Sequence, residues 1–132
     1  MASVITFEAL EDEDLDAWIA RHKVRHGDGR SIRCARCARQ ITSANQRTDR
    51  NGAHAHRFEN PAGFIFRIGC FKTAPGCRTV GEATLEWTWF AGHPWSMALC
   101  IQCGAHLGWH YGPGSTGDGF YGLILDRLSE NL

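Results

Sequence analysis

The sequence predicts a mainly β domain stapled by a metal ion, and three observations predict it. Fifteen glycines punctuate short apolar runs along 132 residues, a composition that suits brief strands joined by turns. Two Cys-x-x-Cys knuckles, Cys34-Ala35-Arg36-Cys37 and Cys100-Ile101-Gln102-Cys103, lie far apart in the chain. Four of the five tryptophans fall between positions 87 and 109.

The knuckles carry the most specific chemistry. Residues one and four of a tight turn bring both sulfurs to one side, and two such turns supply four thiolates to a tetrahedral zinc ion at ~2.3 Å. An all-thiolate set leaves no open position, so a single structural Zn2+ on Cys34, Cys37, Cys100 and Cys103 is expected. The competing reading, disulfides, needs an oxidising compartment. Residues 1–8 lack the basic and apolar regions of a secretory signal. No run approaches the ~18 apolar residues of a membrane span. The expectation is a cytoplasmic protein with no membrane partner. Cys70 lies in an apolar run and reads as a small core hydrophobe. Cys77 follows Pro75-Gly76 and reads as lying near a turn.

The length suits one domain with a modest core. The 14 basic and 14 acidic side chains cancel, and no basic stripe marks a binder of nucleic-acid polymers. Residues 1–30 stand apart as a helix or arm. Glu11-Asp12-Glu13-Asp14 opens it, Leu15, Trp18 and Ile19 recur at helical spacing, and Arg21, Lys23 and Arg25 follow. Acid before base suits the helix dipole. Gly27-Asp28-Gly29 stops the pattern, and the main domain is placed at 31–132.

Strand signals begin at Ser31. The first knuckle leads into Gln40-Ile41-Thr42. Thr48-Asp49-Arg50-Asn51-Gly52 reads as a hairpin turn, and His54-Ala55-His56-Arg57-Phe58 returns as a strand that Asn60-Pro61 breaks. Phe64-Ile65-Phe66-Arg67-Ile68 predicts a strand, and the stretch 84–90 another. Gly92-His93-Pro94 turns the chain into a strand from Trp95 that ends at the second knuckle. His106 to Tyr111 forms a further strand, 113–119 a loop, and 120–128 closes the domain.

Trp87 with Trp89, and Trp109 with Tyr111, are i, i+2 pairs, which on a strand share a face. With Trp95 they could fill a core or wall a box. Fully burying several indole N–H groups is costly, which favours the box. Such a box could hold a cation, a base or a small neutral ring.

The stretch Glu86-Trp87-Thr88-Trp89-Phe90-Ala91-Gly92-His93-Pro94-Trp95, followed by Cys100-Ile101-Gln102-Cys103-Gly104-Ala105-His106-Leu107-Gly108-Trp109-His110-Tyr111, resembles the CULT domain, the thalidomide-binding domain of cereblon. Bacterial single-domain members look similar in length and motifs. The resemblance covers about residues 31–128, including both knuckles, Asn60-Pro61 and Phe120-Tyr121-Gly122-Leu123. It implies a β-tent, two antiparallel sheets pinned at a four-cysteine zinc site, and a non-enzymatic small-molecule pocket for cyclic imides such as glutarimide. The implied walls are Trp89, Trp95 and Trp109, with Tyr111 beside them. The carbonyl of Trp87 would accept from an imide N–H, and the N–H of Trp89 would donate to an imide carbonyl. Asn60 would stand at the mouth, with Phe66 and Glu86 close by. The family histidine at the position of Trp87 is replaced here by an indole.

Two other functions compete. An aromatic cage could take uridine, whose base has the same acceptor–donor–acceptor edge, or a methylated amine, which would want a carboxylate such as Glu86 nearby. Methionine-R-sulfoxide reductase shares the knuckles and the tent, but it requires a nucleophilic thiol near Phe120-Tyr121-Gly122. Gly122 stands there, and no cysteine follows Cys103. The enzyme reading is therefore rejected. His106 and His110 read as strand histidines that satisfy local hydrogen bonds.

Overall fold

The computed structural model describes residues 29–114 and 117–130. The predicted N-terminal helix or arm lies outside them, apart from Gly29 and Arg30. Among these described residues nine strands form two antiparallel sheets. The smaller sheet has the order β2-β1-β9, built from β1 (Ser31–Cys34), β2 (Gln40–Ser43) and β9 (Leu128–Ser129). The larger sheet runs β3-β4-β8-β7-β6-β5, from β3 (Ala55–Glu59), β4 (Ile65–Phe71), β5 (Cys77–Thr84), β6 (Trp95–Cys100), β7 (His106–Tyr111) and β8 (Phe120–Ile124). The mainly β class is as the composition predicts, and the two-sheet arrangement is as the resemblance implies.

Three expectations change. Residues 84–90 are not a strand. The aromatic-rich stretch is a loop, and the strand before it is β5, which the sequence reading missed. Five of the eight β5 residues are polar or glycine, and most are exposed at the sheet edge, so no apolar alternation marks it. The turn at Arg50–Ala53 exists, but it does not pair its flanking strands. β2 and β3 belong to different sheets, and β3 pairs with β4. The buried part of β4 is Ile68 to Phe71, while Phe64 and Ile65 face solvent.

Two apolar clusters divide the interior. One lies between the sheets, beneath the knuckles, and joins Ile32, Ile41, Phe71, Leu107 and Leu123. The other is aromatic and gathers Ile68, Phe90, Tyr111 and Phe120, with Trp89, Trp95 and Trp109 packed at its margin. Main-chain bonds also tie the sheets: Ala35 N–H donates to Arg127 O (3.0 Å) and Gly76 N–H to Ile41 O (2.9 Å).

Gly108 is where β7 and β8 approach too closely for any side chain. Its φ is +155°, and a Cβ there would lie 2.2 Å from the Gly122 carbonyl oxygen. That neighbour is backbone and cannot rotate aside. Gly108→Ala is expected to cost about 3 kcal/mol, combining overpacking with backbone strain. Urea unfolding measures it, and a loss below ~1 kcal/mol would contradict the close approach.

Candidate functional site

The two knuckles have the same local design. Cys34 ends β1, and Ala38 N–H returns to Cys34 O (2.8 Å) while Cys34 N–H donates to Arg39 O (2.8 Å). Cys100 ends β6, with Gly104 N–H on Cys100 O (2.9 Å) and Cys100 N–H on Ala105 O (2.8 Å). The turn needs a left-handed residue after the second cysteine. Gly104 supplies it at φ +79°, and Ala38 at φ +67°, where a Cβ costs roughly 1–2 kcal/mol.

The turns bring the four sulfurs together although the pairs come from different sheets. Cys34 Sγ and Cys103 Sγ lie 3.7 Å apart, and Cys37 Sγ and Cys100 Sγ 3.6 Å. All four lie within 4.8 Å of one another. Metal–sulfur bonds of ~2.3 Å in a tetrahedron require sulfur–sulfur edges of about 3.8 Å, so the set fits one metal ion. At Cys100 burial opposes the thiolate, but the N–H groups of Cys103 and Gln102 and the Cys37 thiol outweigh it and hold the pKa at about 7. At Cys37 the Arg39 N–H favours the thiolate, yet burial and the adjacent sulfurs lift the pKa to about 11. Four such groups cannot all ionise at neutral pH without a cation among them.

Cys70 and Cys77 stay apart from this set. Burial pushes both thiols up to about 12, so neither is a thiolate nucleophile near neutrality. Cys77 starts β5 opposite Cys100, directly after the turn at Pro75-Gly76, as expected.

The second site is built by the loop 85–94. Phe90, 2% exposed, anchors it in the aromatic core. Thr88 Oγ1 donates to His93 O (2.7 Å). The buried His93 holds Gly112 O through Nδ1 (2.7 Å), with that nitrogen protonated because its partner is a carbonyl. Trp95 Nε1–H donates to Glu86 O (2.7 Å), which ties the loop to the start of β6. Trp87 takes a left-handed conformation, φ +64°, with its side chain mostly in solvent. For a bulky residue this is an outlier, costing of order 1–3 kcal/mol.

This loop, β6, β7 and the turn after β3 enclose a cavity of about 250 Å³. Asn60, Pro61, Trp87, Trp89, Trp95, Trp109 and Tyr111 line it. Trp89 and Trp109 meet edge to face at 5.0 Å, and Phe58 stacks behind Trp89 at 4.8 Å. The rings touch but leave an open space. Asn60 Oδ1 accepts from Ala62 N–H (3.1 Å) and Phe64 N–H (2.9 Å), so its carbonyl shapes the turn at the rim. No ionisable side chain other than the Tyr111 phenol is among the lining residues, and burial drives that phenol's pKa upward. Trp87 C=O and Trp89 N–H make no hydrogen bond among the described residues. Both residues line the cavity, so these main-chain groups are free to bond water or a guest.

Two residues expected close to the cavity are not among those that line it. Phe66 sits behind the walls, 5.4 Å from Trp109 and 6.0 Å from Trp89. Glu86 is exposed and serves through its main-chain carbonyl. Trp87 and Trp89 do not share a strand face. They reach the cavity from a loop whose left-handed residue breaks the period-two rule. His106 Nε2 is engaged with Gly108 O (2.9 Å), His110 lies against Tyr121, and burial lowers the pKa of both. Neither lines the cavity. Sequence reasoning missed Pro61, Phe90, Thr88 and His93 as builders of the site. Only the buried partners of Thr88 and His93 reveal their roles, and no spacing rule encodes these.

No family model matches the chain. Among curated proteins it is similar to protein cereblon of Xenopus tropicalis, 33% identical over 54 residues, covering 41% of this chain and 12% of that protein. Cereblon of Gallus gallus matches at 33% over 54 residues, with the same coverage. Cereblon of Drosophila willistoni matches at 41% over 59 residues, covering 39% of this chain and 10% of that protein. The chain thus aligns with about a tenth of the length of these relatives. Matching stretches of cereblon from frog, bird and fly, two antiparallel sheets and a four-cysteine cluster between them support a cereblon-like CULT domain in this chain.

Proposed function

We propose that this is a zinc-stapled, non-enzymatic binding domain whose aromatic cavity takes cyclic imides, among them glutarimide, thalidomide-like compounds and cyclised protein C-termini. One observation carries the reading. A main-chain acceptor (Trp87 C=O) and a main-chain donor (Trp89 N–H) stand unpaired beside an aromatic cavity whose walls carry no charge. An imide edge offers the matching N–H and carbonyl, and its methylenes suit indole walls. At about 250 Å³ the cavity lies below the roughly 300–1,000 Å³ of drug-sized sites, so one small ring fits best. Glutarimide has about eight non-hydrogen atoms, which caps its binding near −12 kcal/mol, while micromolar affinity needs only about −8. Zinc is the ion that four thiolates in tetrahedral array favour.

The test is a titration followed by tryptophan fluorescence. Glutarimide should quench with micromolar affinity. Glutarate should bind at least about 100-fold more weakly, because a carboxylate gains no partner in the cavity. Uridine presents the same edge and should compete through its base. Trimethyllysine should fail, since no carboxylate lines the walls. A response to the amine alone would replace this reading with a methyl-ammonium cage.

A second variant separates main chain from side chain. Trp87 contributes its carbonyl, and its indole is 65% exposed. Trp87→Gly removes the left-handed strain and is expected to raise stability by about 1 kcal/mol. Imide affinity should stay within about fivefold of the parent, as calorimetry would report. Complete loss of binding would show that the indole, not the carbonyl, does the work.

A further inference from the structure

The neutral net charge hides two opposed halves. Residues 1–28 carry seven Asp and Glu against three Lys and Arg, whereas residues 29–132 carry eleven Lys and Arg against seven Asp and Glu. The first is net −4 and the second net +4. Within the first, Glu8, Glu11, Asp12, Glu13, Asp14 and Asp16 come with no basic residue before Arg21. A divalent ion on four thiolates would add about −2 to the domain, which leaves it positive.

The domain also presents a polar groove of about 710 Å³, separate from the aromatic cavity and sharing no lining residue with it. Arg33 and Arg39 border it, with Gln40, Ser43, Gln46 and Thr73, and no carboxylate is among its lining residues. Its walls are preformed. Gly76 packs so tightly on β2 that a Cβ would meet Gln40 O at 2.3 Å, and Thr42 Oγ1 donates to Thr73 O (2.7 Å). The chain enters the described domain at the groove's end. Arg30 O accepts from Ala44 N–H (2.9 Å) and Ser31 pairs with Ser43. About a dozen residues separate Asp16 from Gly29, enough to span roughly 40 Å when extended.

We infer that the acidic segment 8–16 docks in this arginine-bordered groove of its own chain. Opposite charge draws the two together, and covalent attachment beside the groove gives the segment a high effective concentration there. The aromatic cavity stays open. The inference stands apart from any ligand reading.

Lys72 makes the test selective. It is the only lysine in residues 29–132, it is exposed, and its N–H bonds Gln46 O at the groove (2.8 Å). Zero-length carbodiimide coupling of the full chain at low salt, read by peptide mass spectrometry, should join Lys72 to Glu8, Glu11, Asp12, Glu13, Asp14 or Asp16. In a mixture of 14N and 15N protein these links should fall within single chains. About 0.5 M NaCl should cut their yield at least threefold, since charges are screened beyond a few ångströms. Arg39→Glu should do the same while one metal per chain is retained. Replacing Glu11, Asp12, Glu13 and Asp14 by their amides should reduce the remaining Glu8 and Asp16 links, and leaves the groove untouched. Absence of Lys72 links to this segment, links that form between chains, or yields indifferent to salt and to Arg39→Glu would each overturn the inference.

Discussion

Cys34→Ser is expected to unfold the domain, and stripping the metal with a strong chelator is expected to do the same. The reason lies in where the ligands sit. Cys34 and Cys37 belong to the hairpin of β1 and β2, and Cys100 and Cys103 to the hairpin of β6 and β7. The small sheet has three short strands, too few to stand alone. It rests on one apolar cluster, on a few main-chain bonds and on this four-sulfur joint. Without a cation the sulfurs, 3.6–3.7 Å apart at their closest, must share protons or repel. Closed thiolate sites contribute on the order of 10 kcal/mol to folding, comparable with the whole stability of a domain this size. Circular dichroism and metal analysis on the same sample decide the matter. A Cys34→Ser protein that keeps its β spectrum and one metal per chain would overturn the staple.

Trp109→Ala is the second large effect, and it should act on binding rather than folding. Trp109 lies on β7 and forms one wall of the cavity, edge to face with Trp89 at 5.0 Å and with Phe66 at 5.4 Å. Removing it opens the cavity to water and frees Trp89 to turn. Imide affinity should fall more than about 100-fold, or about 3 kcal/mol. The four-sulfur cluster lies at the other end of β6, where Cys100 closes the strand that Trp95 begins. Metal content should therefore stay at one per chain. Calorimetry with glutarimide and metal analysis separate the outcomes. Undiminished binding would place the ligand elsewhere, and loss of metal together with binding would mean that the wall is part of the fold.

The legible parts were those whose physics is local in sequence. A Cys-x-x-Cys turn closes within four residues, so its chemistry is written in its spacing. A strand with one fully buried face, such as β6, shows its period of two because that side packs on a core. β5 was invisible because most of its residues are exposed. The loop 85–94 was misread because three aromatic residues among the seven of 84–90 mimic a buried strand. Its path is set by contacts distant in sequence, above all Phe90 in the core and His93 on Gly112.

Taken alone, the sequence determined that the chain is mainly β, that four cysteines form one set, and that tryptophans concentrate near the second knuckle. Only the tertiary structure decided that the four sulfurs meet between two sheets, that the indoles leave a gap instead of filling it, and that Trp87 reaches that gap from a loop in a left-handed conformation. Pairing rules and periodicity act over a few residues. The shape of a cavity depends on the backbone between them, and at Trp87 one left-handed residue turned the chain against its own pattern.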